Sequence, residues 1–224
     1  MYIIIAGAGN LGYELVGNLV KRKKEIVVID MDKTRCDNLF TTFGVETICG
    51  DATKIHVLKA AGIDKADVVV ATMRNDAANL ALSVLAKSFN VPELIIRMNS
   101  KAYAEAYKTV GVSQLLSVVD NLVEDILYFL EKPEIQRVAR LGDGQVEIFN
   151  VTVRKGSKAA GKTLSEIAKE KGLPEESVII GIFDKVKGIF KVPRGNTQIS
   201  GDAEVFVVTR PELVKQTAKF LMGK

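Results

Sequence analysis

The sequence predicts an α/β chain: a doubly wound parallel-sheet domain followed by a small α+β domain. Three observations carry this. Over roughly the first 130 residues, short β-branched runs alternate with stretches of helical spacing. A glycine-rich turn joins the first run to the first helical stretch. Beyond residue 145, short strands dominate, separated by turns rich in Gly, Pro, Asn and Asp.

The predicted strands of the first domain are Ile3–Ala6, Glu25–Asp30, Thr47–Cys49, Val68–Ala71, Leu94–Met98 and Gln114–Ser117. Runs such as Ile26-Val27-Val28-Ile29 are apolar throughout, as strands covered on both faces must be. The intervening stretches place apolar residues at helical spacing, with Leu11, Leu15, Val16 and Leu19 in the first. Strand–helix alternation at this pitch implies right-handed βαβ units. A helix over Asn121–Leu130 follows, too apolar all round for a surface helix. The predicted boundaries are 1–132 for the first domain including that helix, 133–144 for a polar linker, and 145–224 for the second domain. In the latter, strands are expected at Glu147–Val153, Val178–Asp184, Ile189–Val192 and Glu204–Thr209, and helices at Thr163–Lys171 and Glu212–Met222.

Composition narrows the function classes. The net charge of +4 is small and dispersed, and argues for neither nucleic acid nor a membrane surface. No apolar run approaches the roughly 18–20 residues of a bilayer span, and the N-terminus enters a strand without the features of a signal peptide. A soluble cytoplasmic chain is expected. Cys36 and Cys49, the only cysteines, fit no metal-ligand spacing and read as free thiols. Neither a metal site nor a catalytic residue is predicted, and His56, the sole histidine, reads as a surface residue.

The chemistry is concentrated in Gly7-Ala8-Gly9-Asn10-Leu11-Gly12. The motif follows an apolar strand and opens an amphipathic helix, and Asp30 ends the second strand 18 residues after Gly12. That is the context of a Rossmann dinucleotide fingerprint. Gly7 permits the tight turn, Gly9 admits a pyrophosphate and Gly12 allows close packing. The helix N-terminus offers N–H groups to phosphate. Asp30 would accept hydrogen bonds from ribose hydroxyls and repel a 2′-phosphate, favouring NAD(H) or an adenosine nucleotide over NADP(H). Asp32 reads as a helix-starting solvent residue. The Gly50-Asp51-Ala52-Thr53 turn lies where adenine is expected, and Asp51 or Thr53 also reads as the N-cap of a helix over Lys54–Ala61. Arg97, ending the fifth strand, reads either as a phosphate ligand or as one half of an ion pair at the sheet edge.

These residues resemble the RCK (regulator of potassium conductance) N-domain of TrkA/KtrA-type subunits. The match runs from Ile3 to Gly12, through Val27-Val28-Ile29-Asp30, Gly50-Asp51-Ala52-Thr53, Ala61-Gly62-Ile63, Ala66-Asp67, Asp76 with Asn79, and Ile95-Ile96-Arg97. The remainder is similar to the family's C-terminal RCK domain, through Gly156-Ser157, Gly161-Lys162-Thr163-Leu164, Pro193-Arg194-Gly195-Asn196-Thr197 and Gly201-Asp202. The resemblance implies a non-enzymatic regulatory subunit holding NAD(H), or alternatively ADP, ATP or AMP. It implies that such subunits form dimers and assemble into tetrameric or octameric rings beneath an integral-membrane Trk/Ktr potassium-translocating subunit at the inner face of the membrane. It also implies that Asn121–Leu130 is a crossover helix exchanged between partners. Its implied nucleotide contacts are Gly7, Ala8, Gly9, Asn10, Leu11, Asp30, Asp51, Ala52, Thr72, Met73, Arg74 and Arg97.

Three positions depart from the family pattern. Asn10 is neutral where ATP-sensing members often carry arginine, so that route to a terminal phosphate is missing. The family's acidic pair is reduced to Asp76 followed by Ala77, and Ser117-Val118-Val119-Asp120 replaces a Ser-Pro-Glu lead into the crossover helix. Two other classes compete. An NAD-dependent oxidoreductase shares the glycine loop, but the second domain has no histidine, no tyrosine and no obvious lysine–tyrosine pair for proton transfer. A redox-sensing transcription factor needs a recognition helix, whereas the lysines around Lys155, Lys162 and Lys169 alternate with acids or spread across turns.

Overall fold

The computed structural model describes residues 1–142, 144–169 and 172–223. The chain divides into two compact units, Met1–Leu122 and Val123–Lys224.

The first unit alternates strand and helix: β1 Tyr2–Ala6, α1 Asn10–Lys21, β2 Glu25–Asp30, α2 Lys33–Phe43, β3 Glu46–Cys49, α3 Ile55–Ala60, β4 Val68–Ala71, α4 Asp76–Ser88, β5 Glu93–Met98, α5 Ala104–Val110 and β6 Gln114–Ser117. The six strands lie in the order β3-β2-β1-β4-β5-β6, every pair parallel. This is the doubly wound Rossmann arrangement that the sequence predicts. Ile4 and Ile5 point to opposite faces of β1 and both are buried. Ile4 joins Val69 and Leu94 in one core, and Ile5 joins Val16, Val28 and Leu39 in the other. Each such side chain contributes roughly 1.5–3 kcal/mol by leaving water. The strand order reverses between β1 and β4, and the carboxyl ends of these strands open the crevice that such sheets use for ligands.

Helix α6 spans Val118–Glu131, beginning three residues earlier than the Asn121 start that the sequence suggested, and the division between units falls within it. The second unit continues with β7 Gln136–Leu141, β8 Val146–Thr152, the single-turn α7 Leu164–Ile167, β9 Val178–Asp184, β10 Ile189–Lys191, β11 Glu204–Thr209 and α8 Val214–Met222. Its antiparallel sheet runs β10-β9-β11-β8-β7, and Phe149, Val151, Val205 and Val207 are buried with Val214, Ala218 and Leu221 of α8.

Two expectations are corrected here. The stretch 133–144, read as a linker, contains β7, which pairs with β8 from Gln136↔Asn150 to Leu141↔Val146. The helix expected over Thr163–Lys171 is only one turn, started by a capping box in which Thr163 and Glu166 bond each other reciprocally. Glu170 and Lys171 of that helix, Asp143 of the linker and the terminal Lys224 lie outside the described residues. Among the described residues no helix is long and apolar enough to cross a membrane.

Candidate functional site

A cleft of about 1250 Å³ opens at the carboxyl ends of the first sheet. Every implied contact lines it: Gly7, Ala8, Gly9, Asn10, Leu11, Asp30, Asp51, Ala52, Thr72, Met73, Arg74 and Arg97. Gly12 alone of the fingerprint does not, because it packs beneath the loop.

The loop is held from three sides. Gly7 has φ +109°, a conformation that only glycine adopts without strain, and its N–H donates to Ile29 O at 2.8 Å. The buried Thr72 Oγ1 lies 2.9 Å from Gly7 O and 3.1 Å from Ala6 O, tying the loop to the end of β4. A Cβ at Gly12 would stand 1.9 Å from Gly7 O, whereas one at Gly9 would meet nothing within 4 Å. Gly12 therefore closes the loop on α1, and Gly9 faces open space.

Helix α1 begins at Asn10 with Gly9 as its N-cap, and no side chain caps it. Its first turn carries no acidic residue. By contrast Asp32 caps α2 by accepting from the N–H groups of Thr34 and Arg35, and Asn75 caps α4 by accepting from Ala78 N–H. The N-terminal N–H groups and positive dipole end of α1 are thus left for a ligand in the cleft.

Asp30 does more than the sequence suggested. Its Oδ2 accepts the Ala8 N–H at 2.6 Å and its Oδ1 the Asp32 N–H at 2.8 Å, so the carboxylate fixes the glycine loop to the start of α2. A carboxylate has about four lone-pair sites, leaving capacity for two further donors. Asp32 is the N-cap of α2 in addition to being exposed. Asp51 does not cap α3, whose N-cap is Lys54 without a side-chain bond. Instead its Oδ1 accepts from Thr53 N–H at 2.9 Å and from Thr53 Oγ1–H at 2.7 Å. The Thr53 N–H, then its hydroxyl, hold the Asp51 carboxyl below its ordinary value, so it is anionic at neutral pH.

Arg97 sits on β5, the strand inside the edge strand β6, and no carboxylate lies within ion-pair distance of it among the described residues. The ion-pair alternative is therefore overturned. The side chain is half-buried, and its Nε is buried without a hydrogen-bond partner, which is costly unless an anion joins it. The fully buried Asn79 donates from Nδ2 to Met73 O at 2.9 Å and Arg97 O at 3.0 Å, locking together the two strand ends that carry these cleft residues.

Arg35, Asn38 and Tyr13 also line the cleft and were missed. Arg35 Nε is 3.4 Å from Asp32 and its Nη1 3.9 Å from Asp30. The available signal was position: Arg35 and Asn38 share one face of the helix that follows Asp30, and Tyr13 follows the fingerprint directly. His56 is exposed on α3 and does not line the cleft.

A glycine loop under an uncapped helix, at the switch point of a doubly wound sheet, defines a Rossmann-type ligand-binding module. The chain belongs to the TrkA-N domain family, whose model matches residues 3–118, slightly more than half of the chain, and the TrkA-C domain model matches residues 148–222. The chain is 27% identical to a Trk system potassium uptake protein TrkA homolog of Methanothermobacter thermautotrophicus, with all of both chains covered. It is 29% identical to another from Pyrococcus abyssi, covering 100% of this chain and 99% of the relative. A homolog from Archaeoglobus fulgidus is 29% identical over 96% of this chain, which spans 48% of that longer relative. Among solved structures, the GsuK channel superposes with a TM-score of 0.67 at 19% identity, covering 99% of this chain and 39% of the other. The GsuK channel bound to NAD gives 0.63 at 18% identity, covering 98% and 39%. At these identities the likeness is one of fold.

Proposed function

We propose that this chain is the nucleotide-sensing regulatory subunit of a Trk/Ktr-type potassium uptake system, located at the inner face of the cell membrane through an integral-membrane potassium-translocating partner. The observation that carries the nucleotide reading is the uncapped N-terminus of α1 opening on a cleft where Arg97 Nε is buried without a hydrogen-bond partner. The α1 dipole and the loop N–H groups would hold a pyrophosphate, Asp30 a ribose, and the Asp51–Thr53 turn the adenine end. NAD(H) and ADP or AMP fit this reading best, since Asn10 supplies no charge for a third phosphate. The names of the full-length relatives support potassium uptake, and the relatives of the same fold include one described as bound to NAD.

The output in this reading is a change of assembly rather than a reaction. A ligand shifts an assembly only if it binds two of its states with different affinity. Self-association is supported by α6, whose Leu122, Val123, Ile126, Leu127, Phe129 and Leu130 are all exposed in the single chain. The reading is tested by isothermal titration of purified, nucleotide-stripped protein with NADH, NAD, ATP, ADP and AMP. At least one is expected to bind with a Kd of about 1 μM or tighter, about −8 kcal/mol. Failure of all five overturns it.

A further inference from the structure

Cys36 and Cys49 follow no spacing motif, yet the fold brings their thiols together beside the cleft. Cys36 lies in the first turn of α2 and is buried, its Sγ 3.5 Å from Asp30 O and 3.9 Å from Ile48 O. Cys49 ends β3 opposite Asp30 and is exposed, its Sγ 3.6 Å from Met31 O. The carbonyls of two consecutive residues thus hold one sulfur each, and Cys36 Sγ also stands 3.9 Å from the carbonyl of Ile48, the residue before Cys49. Their chain neighbours Arg35 and Gly50 both line the cleft, as do Asp30 and Met31 between them.

We propose that Cys36 and Cys49 form an oxidation-sensitive dithiol, and that closing it to a disulfide weakens nucleotide binding in the adjoining cleft. The site stands on the thiol geometry, and only its consequence for binding rests on the function proposed above. With a peroxide as oxidant, the exposed Cys49 thiolate attacks one oxygen. The O–O bond breaks, hydroxide departs and is protonated to water, and Cys49 becomes a sulfenic acid. The Cys36 sulfur then attacks the Cys49 sulfur as its own proton leaves. The S–S bond forms, the S–O bond breaks, and the hydroxyl departs with that proton as water. Two thiols are oxidised by two electrons, and one peroxide is reduced to two waters. Burial, then the neighbouring Cys49, pushes the Cys36 thiol up to about 11, so Cys36 stays protonated at neutral pH and the exposed Cys49 is the one that meets the peroxide first.

The disulfide needs a sulfur–sulfur bond of about 2.05 Å, which draws the first turn of α2 onto the end of β3. That turn carries Asp32 and Arg35, and β3 leads directly into Asp51. Because the Asp30 carboxylate bonds both the Asp32 N–H and the Ala8 N–H, movement of α2 reaches the glycine loop.

The experiment uses the full chain, reduced or treated with hydrogen peroxide. Titratable thiols are counted, the mass is measured, non-reducing electrophoresis separates links within and between chains, and NADH and ADP are titrated calorimetrically. The expected result is loss of both thiols within one chain and about tenfold weaker binding, close to 1.4 kcal/mol, restored by a dithiol reductant. The exposed-site variant Cys49→Ser should bind equally before and after peroxide, and Cys36→Ser likewise. Two thiols still titratable, links only between chains, or a disulfide without change in affinity would each overturn the proposal. Should the reduced protein bind no nucleotide, the functional reading falls, and the thiol count still decides whether the dithiol closes.

Discussion

Gly9 and Gly12 look alike as letters of one motif, but they meet different surroundings. A methyl at Gly12 collides with Gly7 O, and backbone cannot give way as a flexible side chain does. Gly12→Ala is therefore expected to cost about 2–4 kcal/mol of stability, the range of severe packing changes. Gly9→Ala adds its methyl to open space in the cleft, so the fold should hold to within about 0.5 kcal/mol. Nucleotide binding should nevertheless fall, because the methyl occupies the space where a pyrophosphate would approach. Thermal unfolding paired with NADH titration separates the two outcomes, and normal binding by Gly9→Ala would count against the loop as a phosphate cradle. A residue whose role follows from local backbone geometry, such as Gly7 in its turn at φ +109°, was legible from sequence. Residues whose role depends on distant neighbours were not: Asn79 joins Met73 to Arg97, and Asp76 accepts from the N–H groups of Asn99 and Ser100 while receiving the buried Tyr107 hydroxyl.

Among the elements, β7 shows why one strand escaped the sequence reading. Its sequence Gln136-Arg137-Val138-Ala139-Arg140-Leu141 shows no clean alternation of apolar and polar residues, and its two arginines suggest a solvated connection. In the fold they reach α6: Arg137 Nη2 bonds Asp125 at 2.5 Å while its buried Nη1 has no hydrogen-bond partner, and Arg140 Nη1 bonds Glu124 at 2.8 Å. Beneath them Glu147 of β8 is 1% exposed, with Lys132 Nζ at 4.0 Å, and both Lys132 and Arg137 stand over the Tyr128 ring at 4.5 and 4.7 Å. Burial, offset in part by Glu147, lowers the Lys132 ammonium from its ordinary value, as expected of a cation held out of water. Glu147→Gln leaves these cations without their buried anion, a loss of about 3–5 kcal/mol. Calorimetry of the full chain should show the nucleotide-insensitive transition falling in temperature, while the transition raised by nucleotide identifies the first unit and stays in place. An unchanged nucleotide-insensitive transition would mean the cluster does not hold the second sheet. The parallel strands of the first unit were easier to read, because burial on both faces makes them apolar without interruption.

For the molecule as a whole, α6 poses a question of association. Leu122, Val123, Ile126, Leu127, Phe129 and Leu130 range from 47% to 74% exposed, while Tyr128 alone on the helix is buried. A contiguous apolar surface of this kind is uncommon on a soluble monomer and marks a place of contact. The sequence showed the excess of apolar residues, but only the fold shows that the chain's own elements leave them uncovered. The cleft, by contrast, is lined entirely by residues between Gly7 and Arg97 of one chain. Binding and association should therefore separate by mutation. Ile126→Glu combined with Leu130→Glu is expected to convert an oligomer to a monomer in sedimentation experiments, because two carboxylates would be desolvated at the contact. Intrinsic NADH affinity in the monomer should stay within about threefold, or roughly 0.7 kcal/mol, of the parent. Association that is coupled to nucleotide must in addition show reciprocity: if NADH tightens the oligomer, the oligomer binds NADH more tightly than the double variant by the same factor. A monomeric parent chain, or a double variant that still assembles, would exclude α6 as the contact. A double variant that assembles no longer, yet loses NADH binding altogether, would show that the cleft is completed only in the assembly.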